Sequence, residues 1–213
     1  MEQHDGGAVV LASGGLDSSV CLAMARRGAG EVLALGFDYG QRNRIELNRL
    51  DSIASRLGCD VLIVPIDMRL WFHGGLVGEG QPEPSETVSN YVPARNLVFL
   101  AVAASVAEAR GARLIYLGAT AADSHHPDCT PAFFVTVGAA LAAGLTRPPD
   151  LRTPLIGLSK AQVVQAAIEL KVPLELTWSC HLPGPRPCGG CAPCRLRRDT
   201  FADLGLLDPG DAS

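Results

Sequence analysis

Apolar positions along this chain follow two alternating rhythms. Short apolar runs at residues 8–12, 31–37, 61–66 and 113–117 predict buried strands. Between them the period lengthens. Residues 17–27 set Val20, Cys21, Met24 and Ala25 on one helical face, and residues 42–57 repeat Ile45, Leu47, Leu50, Ile53, Ala54 and Leu57 at helical spacing. Residues 94–110 and 160–171 predict two further helices. Strands that alternate with helices imply an α/β fold, a parallel sheet with helices on both faces whose ligands gather at the carboxyl ends of the strands. Residues 68–90 break the rhythm with Gly, Pro, Ser and Glu, and predict a mobile loop over those strand ends, begun by Trp71, Phe72 and His73 as a hydrophobic anchor.

The first strand runs directly into Ser13-Gly14-Gly15-Leu16-Asp17-Ser18, which opens the first helix. Two glycines at a strand-to-helix turn let backbone approach an anion closely, and the free N–H groups of the helix start supply positive partial charge. Glycine turns after strands are also plain connections, but here hydroxyl and carboxylate groups flank the glycines. No Lys follows them, so this is not a Walker-type phosphate loop. The hexad resembles the S-G-G-x-D-S pyrophosphate loop (PP-loop) of the ATP pyrophosphatase superfamily, whose members cleave ATP to AMP and pyrophosphate while adenylating a carboxylate or carbonyl oxygen. That resemblance implies a Rossmann-like sheet of the adenine nucleotide alpha hydrolase kind.

Composition changes this picture little. The 213 residues, 47% hydrophobic, fit one domain with a small appendage. A net charge of −4 gives no general affinity for nucleic acid, and the short cluster Arg195, Arg197 and Arg198 reads as a solvated helix face. Without a run of 18 apolar residues or a signal-like start, the expectation is a cytoplasmic protein that does not span a membrane. Residues 1–7 are expected to be disordered, residues 8–175 to form the nucleotide domain, residues 176–205 a metal-binding segment and residues 206–213 a tail, frayed from 208 onward.

Seven cysteines, an odd number, argue against a secreted disulfide framework. Cys21, Cys59 and Cys129 are scattered, whereas Cys180, Cys188, Cys191 and Cys194 form C-x7-C-x2-C-x2-C. Thiolates two residues apart converge on one ion, and Gly189-Gly190 and Ala192-Pro193 suit the tight turns between them. Four thiolates close a tetrahedral zinc site that would be structural and would hold a loop-rich tail together. An iron–sulfur cluster also takes four thiolates. His181 is left out of the ligand set, because four Cys complete it.

Three segments lie where ligands should gather: Phe37-Asp38-Tyr39-Gly40-Gln41-Arg42 after the second strand, Gly118-Ala119-Thr120-Ala121-Ala122-Asp123 after the fourth, and Tyr91-Val92-Pro93-Ala94-Arg95-Asn96 before the long helix. Arg95 in the first turn of a helix sets a cation beside a positive helix end, which suggests an anion nearby; the alternative is an arginine turned into water. His125 and His126 invite a metal or general-base role and equally fit a polar loop.

Taken in order, Ser13 to Ser18, Tyr39-Gly40-Gln41-Arg42 with Glu46, Val92-Pro93-Ala94-Arg95-Asn96, Pro127-Asp128-Cys129, Thr153-Pro154-Leu155 with Lys160, and the four cysteines followed by Arg195 resemble the 7-cyano-7-deazaguanine synthase family, often called QueC. The resemblance spans roughly residues 8–200. It implies ATP-dependent conversion of 7-carboxy-7-deazaguanine into the nitrile that precedes queuosine, with ammonia as nitrogen source, zinc as structural metal, Mg²⁺ accompanying ATP, and a homodimer. It implies ATP binding by Ala12, Ser13, Gly14, Gly15, Leu16, Asp17, Ser18, Ser19, Val20, Cys21 and Leu22. Asp17 would ligate Mg²⁺, while Arg95 and Lys160 would neutralise the departing pyrophosphate. Tyr39, Gln41, Arg42, Asn96, Asp123 and Asp128 would contact the substrate, the two aspartates reading its guanine-like edge, holding magnesium or serving as turn residues.

The chain departs from the family pattern at Asn43, where a His is common, at Ser124, His125 and His126, where an aromatic-rich segment is usual, and at Thr130, where an Arg is usual. These positions fall in substrate loops. They keep open a QueC-like paralogue that passes the activated carboxylate to another amine, such as a protein terminus, and stops at the amide. A non-catalytic nucleotide-binding partner and a tRNA sulfur-transfer enzyme are further alternatives, the last disfavoured by the acidic balance. Met1 is followed by Glu2 and no glutaminase segment precedes the loop, so ammonia or an external amine is the expected nucleophile.

Overall fold

The computed structural model describes residues 6–74, 76–78 and 91–212. Five strands form one parallel sheet in the order β3-β2-β1-β4-β5. They are β1 (Ala8–Leu11), β2 (Val32–Asp38), β3 (Asp60–Pro65), β4 (Leu114–Tyr116) and β5 (Asp150–Arg152). Among the described residues six α-helices cover it: α1 (Leu16–Gly28), α2 (Ile45–Leu57), α3 (Arg95–Arg110), α4 (Pro131–Gly144), α5 (Lys160–Glu169) and α6 (Ala192–Asp203). The result is the α/β parallel sheet that the alternating rhythm predicts, Rossmann-like as the resemblance implies. No helix among the described residues is long and apolar enough to cross a membrane.

Strand alternation divides the core into two layers. Ala8, Val10 and Ala12 face α1, α2, α5 and α6, where Val20, Leu22, Leu50, Ile53, Val163 and Phe201 pack. Val9 and Leu11 point the other way, toward Phe99, Leu100, Phe134 and Val137 of α3 and α4. Each fully buried Leu or Val of these layers contributes about 1.5–3 kcal/mol of transfer free energy. Chain order runs outward from β1 on one side and resumes at β4 on the other. The carboxyl ends of β1 and β4 therefore splay apart and leave a crevice at the switch point.

Several expectations change. The run 61–66 is an edge strand, not a buried one, with Asp60, Ile63 and Pro65 exposed. Helix α4 and strand β5 went unrecognised, and α6 was anticipated only as the helix face of Arg195, Arg197 and Arg198. In the loop after β3, Trp71 is 58% exposed and anchors nothing; Met68, fully buried, and the half-buried Phe72 do so. The rest of that loop, residue 75 and residues 79–90, lies outside the described residues, as do residues 1–5 of the expected disordered start.

Arg197 is the sharpest correction. Far from a solvated face, its side chain is 10% exposed and grips Asp208, itself 5% exposed, through Nε–Oδ2 at 2.6 Å and Nη2–Oδ1 at 2.8 Å. The same guanidinium donates to Thr177 Oγ1 at 2.7 Å and to the Leu174 carbonyl at 3.1 Å. Asp208 thus ties down the end that composition suggested would fray, followed by a short 3-10 turn, Pro209–Ala212. Replacing Asp208 with Ala would strand a buried guanidinium, so Asp208→Ala should cost about 3–5 kcal/mol in urea unfolding. A loss below 1 kcal/mol would show that the pair is solvated after all.

Candidate functional site

Strand β1 reaches the crevice only with its last residue, Leu11, and the turn after it supplies the polar groups. Gly14 adopts φ +84°, and a Cβ there would stand 2.3 Å from the Glu46 carbonyl oxygen of α2. No other residue fits. Ser13 Oγ accepts from Gly15 N at 3.3 Å, and Ser18 Oγ accepts from Ser13 N at 3.2 Å, which curls the turn around the start of α1. Gly118, at the end of β4, comes so close that a Cβ would lie 2.9 Å from the Asp17 backbone carbon.

Ala12, Ser13, Gly15, Asp17 and Ser18 line a cleft of about 340 Å³. The other residues of the hexad and the helix behind it hold the loop from beneath. Ser19 Oγ donates to the Gly15 carbonyl at 2.7 Å, and Val20, Cys21 and Leu22 are fully buried in the core. Leu16 packs half-buried against the same layer.

Asp17 is the electrostatic focus. Its Oδ2 accepts from Lys160 Nζ at 2.5 Å, while its Oδ1 is buried with no partner among the described residues. Burial raises its pKa above the ordinary aspartate value; Lys160 lowers it in part and Asp123 adds to the rise. An oxygen so placed suits a hard cation. Lys160 begins α5, whose start is fixed by a reciprocal cap: Ser159 N donates to Gln162 Oε1 at 2.8 Å and Gln162 N to Ser159 Oγ at 3.3 Å. Arg95 likewise begins α3, after Ala94 in a left-handed conformation of φ 54°. It lines the cleft, 3.5 Å from Tyr39 Oη and 5.8 Å from the ring centroid. Arg95 lines the crevice and Lys160 does not, reaching it through Asp17; both cations stand at positive helix ends, an arrangement that favours an anion.

The opposite wall is aromatic and polar. Phe37 and Phe99 stack at 4.0 Å between centroids, with Tyr39 tilted against Phe99 at 5.5 Å. Burial pushes the Tyr39 hydroxyl up to about 12. Gln41 is buried and fully used: its Oε1 accepts from Tyr39 N at 2.8 Å, and its Nε2 donates to the Phe37 carbonyl at 2.9 Å and to Glu46 Oε1 at 3.4 Å. Glu46 lines the cleft, its carboxyl pushed up to about 7 by burial, with Arg95 opposing the shift.

Asn96 lines the cleft as well, with Nδ2 donating to the Asp128 carbonyl at 3.0 Å. Asp123 also faces the cleft, yet its Oδ2 is occupied by Thr120 N and Thr120 Oγ1 at 2.8 and 2.7 Å. Asp128 and Arg42 do not line it. Asp128 Oδ2 accepts from Asn96 N at 2.9 Å in the first turn of α3, a role that sequence reasoning did not foresee, while Arg42 Nη2 reaches the Gly74 carbonyl at 3.5 Å.

Phe99 and His181, which sequence reasoning left out of ligand binding, line the cleft, as do Phe37, Asn43 and Glu46, which it placed in or beside the segment after β2 without giving them a specific role. His181 faces this space and stays apart from the thiolates. His126 lines the cleft too and stacks with Tyr91 at 5.9 Å, its pKa lowered by burial and then by His125 and Arg95.

Cys180, Cys188, Cys191 and Cys194 bring their sulfurs within 4.8 Å of one another and could hold a metal. The Cys188–Cys194 and Cys180–Cys191 separations are each 4.0 Å. Disulfides would need about 2 Å. A tetrahedron with bonds of about 2.3 Å has edges of about 3.8 Å, so one ion fits these four sulfurs. Backbone N–H groups of Leu182, Cys188 and Cys191 point at the Cys180 and Cys188 sulfurs at 3.3–3.4 Å, which favours thiolates.

Among solved structures, a U34-tRNA thiolase, NcsA, from Methanococcus maripaludis with its [4Fe-4S] cluster superposes with a TM-score of 0.55 at 13% identity, over 94% of this chain and 68% of that one. A 4-thiouridine synthetase in an RNA complex with bound ATP gives 0.52 at 19% identity, over 96% and 53%. These likenesses concern the fold. Sequence relatives are much nearer. Proteins named 7-cyano-7-deazaguanine synthase from Thermoplasma acidophilum and Thermosynechococcus vestitus are each 41% identical, over 95% of this chain and 90% and 94% of theirs. A 7-cyano-7-deazaguanine synthase 1 from Sphingopyxis alaskensis is also 41% identical, over 94% and 96%. A family model described as queuosine biosynthesis protein QueC matches residues 7–205, and the chain belongs to that family.

Proposed function

We propose that this protein is an ATP-dependent carbon–nitrogen ligase that converts 7-carboxy-7-deazaguanine and ammonia into 7-cyano-7-deazaguanine. The observation that carries the reading is the alignment of relatives so named over nearly the full length of both chains. The cleft supplies the chemistry this needs. A carboxylate is a poor electrophile, and ATP converts one of its oxygens into a leaving group: the oxygen attacks the α-phosphorus, pyrophosphate departs, and ammonia then displaces AMP to leave an amide. A second ATP adenylates the amide oxygen, and loss of AMP with the nitrogen's protons yields the nitrile.

The residues position and neutralise more than they react. The Ser13 to Ser18 turn would receive pyrophosphate on its N–H and hydroxyl groups, with Arg95 and Lys160 offsetting its charge. Mg²⁺, carried in with ATP, would shield the phosphate oxygens; the unpartnered Asp17 Oδ1 is the atom suited to hold it. Zinc would suit the four sulfurs better than a four-iron cluster, which sets its ligands around a larger cage than separations of 4.0 Å describe.

The test is incubation with MgATP, 7-carboxy-7-deazaguanine and ammonium, followed by mass spectrometry. The nitrile with two AMP per product is expected. Amide alone with one AMP would instead mark a paralogue with another acceptor.

A further inference from the structure

Two side-chain groups that line the cleft, those of Asn43 and Glu46, accept hydrogen bonds through their oxygens and have no use in binding ATP phosphates. Asn43 is 7% exposed and lines the cleft. Its Nδ2 donates to the Cys180 carbonyl, which can only accept, so the amide cannot be turned around. Its Oδ1 is left buried, without a partner among the described residues. Leaving a buried acceptor unpaired is costly, and a ligand donor would recover that cost.

Glu46 stands one turn along, its N–H directed at the Asn43 carbonyl at 3.4 Å. Among the described residues its carboxyl receives a single hydrogen bond, from Gln41 Nε2 to Oε1. Gln41 is itself locked by Tyr39 N and the Phe37 carbonyl, so it can neither swing away nor present a different end. The remaining capacity at this corner is therefore acceptor capacity, on Asn43 Oδ1 and on the Glu46 carboxyl in its ionised form, which the nearby Arg95 favours. The flat Phe37–Phe99 pair lines the same cleft.

Two neighbouring acceptors select among planar bases. A guanine-type edge presents two donors side by side, the ring N1–H and the 2-amino group. An adenine edge presents an acceptor nitrogen beside its amino group and would face Asn43 or Glu46 with a lone pair. We propose that Asn43 Oδ1 and the Glu46 carboxylate read the N1–H and 2-amino edge of the deazaguanine substrate, and so determine which base enters. This assignment rests on the proposed function. It differs from the sequence expectation, which gave that task to Asp123 and Asp128.

The experiment compares 7-carboxy-7-deazaguanine with its analogue lacking the 2-amino group, measuring kcat/KM from AMP release in the wild type, Glu46→Gln and Asn43→Leu. Wild type should prefer the amino substrate by roughly 10- to 100-fold, the worth of one hydrogen bond to a charged acceptor. In Glu46→Gln or Asn43→Leu that preference should shrink at least about threefold, with the KM for ATP unchanged. Because the preference is a ratio within one preparation, partial misfolding cannot mimic its loss. Variants that keep the full preference, or that change only the KM for ATP, would overturn the assignment and leave the function standing. A wild type that turns over neither base would overturn the functional reading, and this assignment with it.

Discussion

Asp17→Asn should lower pyrophosphate release by roughly 10²- to 10³-fold, the effect of removing one charge-stabilising group from a preorganised site. The substitution keeps shape and volume and removes only charge. In the free protein that charge is costly: burial raises the carboxyl's pKa, Oδ1 has no partner, and Lys160 alone compensates. Asp17→Asn should therefore unfold at the same temperature as the wild type or higher while losing activity. Activity and stability moving in opposite directions mark a residue retained for function. Parallel falls in both would make Asp17 a structural partner of Lys160, and activity within threefold of wild type would remove it from the reaction altogether. Pyrophosphate release coupled to a phosphate assay, with melting curves on the same samples, separates the cases.

What the sequence discloses about this protein follows from how local each signal is. The strands β1, β2 and β4 and the helices α1, α2, α3 and α5 carry their own period, so residues a few positions apart suffice to find them. Helix α4 is apolar at nearly every position, with Val135 74% exposed, and a helix without a polar face has no readable phase. Helix α6 begins among cysteines and continues in arginines; the inward turn of Arg197 depends on Thr177, Leu174 and Asp208, none of which lies in that helix. The four cysteines were legible because the ligands of one ion sit close in sequence. The Asn43–Cys180 contact joins residues 137 positions apart, and only folding reveals it. Asp123 and Asp128 looked equivalent on one loop, yet one faces the cleft and the other accepts from the first turn of α3.

That long-range contact also gives the cysteine segment a reach beyond its own stability. Cys180 offers its carbonyl to Asn43 Nδ2 and to the indole N–H of Trp178, the latter at 2.9 Å, and the Trp178 backbone N–H donates to the Gly14 carbonyl at 2.9 Å. Cys180, Cys191 and Cys194 are buried around Trp178 with little other apolar support, only Ile45 and Leu182 among the described residues packing half-buried against them. A bound metal would therefore be the main source of order here; structural zinc in small domains is worth about 10–16 kcal/mol. Cys191→Ser, or removal of the metal by a chelator, should release Trp178 and with it the carbonyl side of Gly14, while the sheet and its two core layers remain folded. Three readouts follow in a Trp71→Phe background, where Trp178 is the sole indole: its emission should shift to the red, ATP affinity should fall at least about tenfold, and far-ultraviolet circular dichroism should stay nearly unchanged. Elemental analysis of the untreated protein should give one zinc per chain. If the metal-free protein keeps both its emission and its ATP affinity, the cysteine segment is a separate staple; if both change together, the metal holds the floor of the phosphate loop through Trp178.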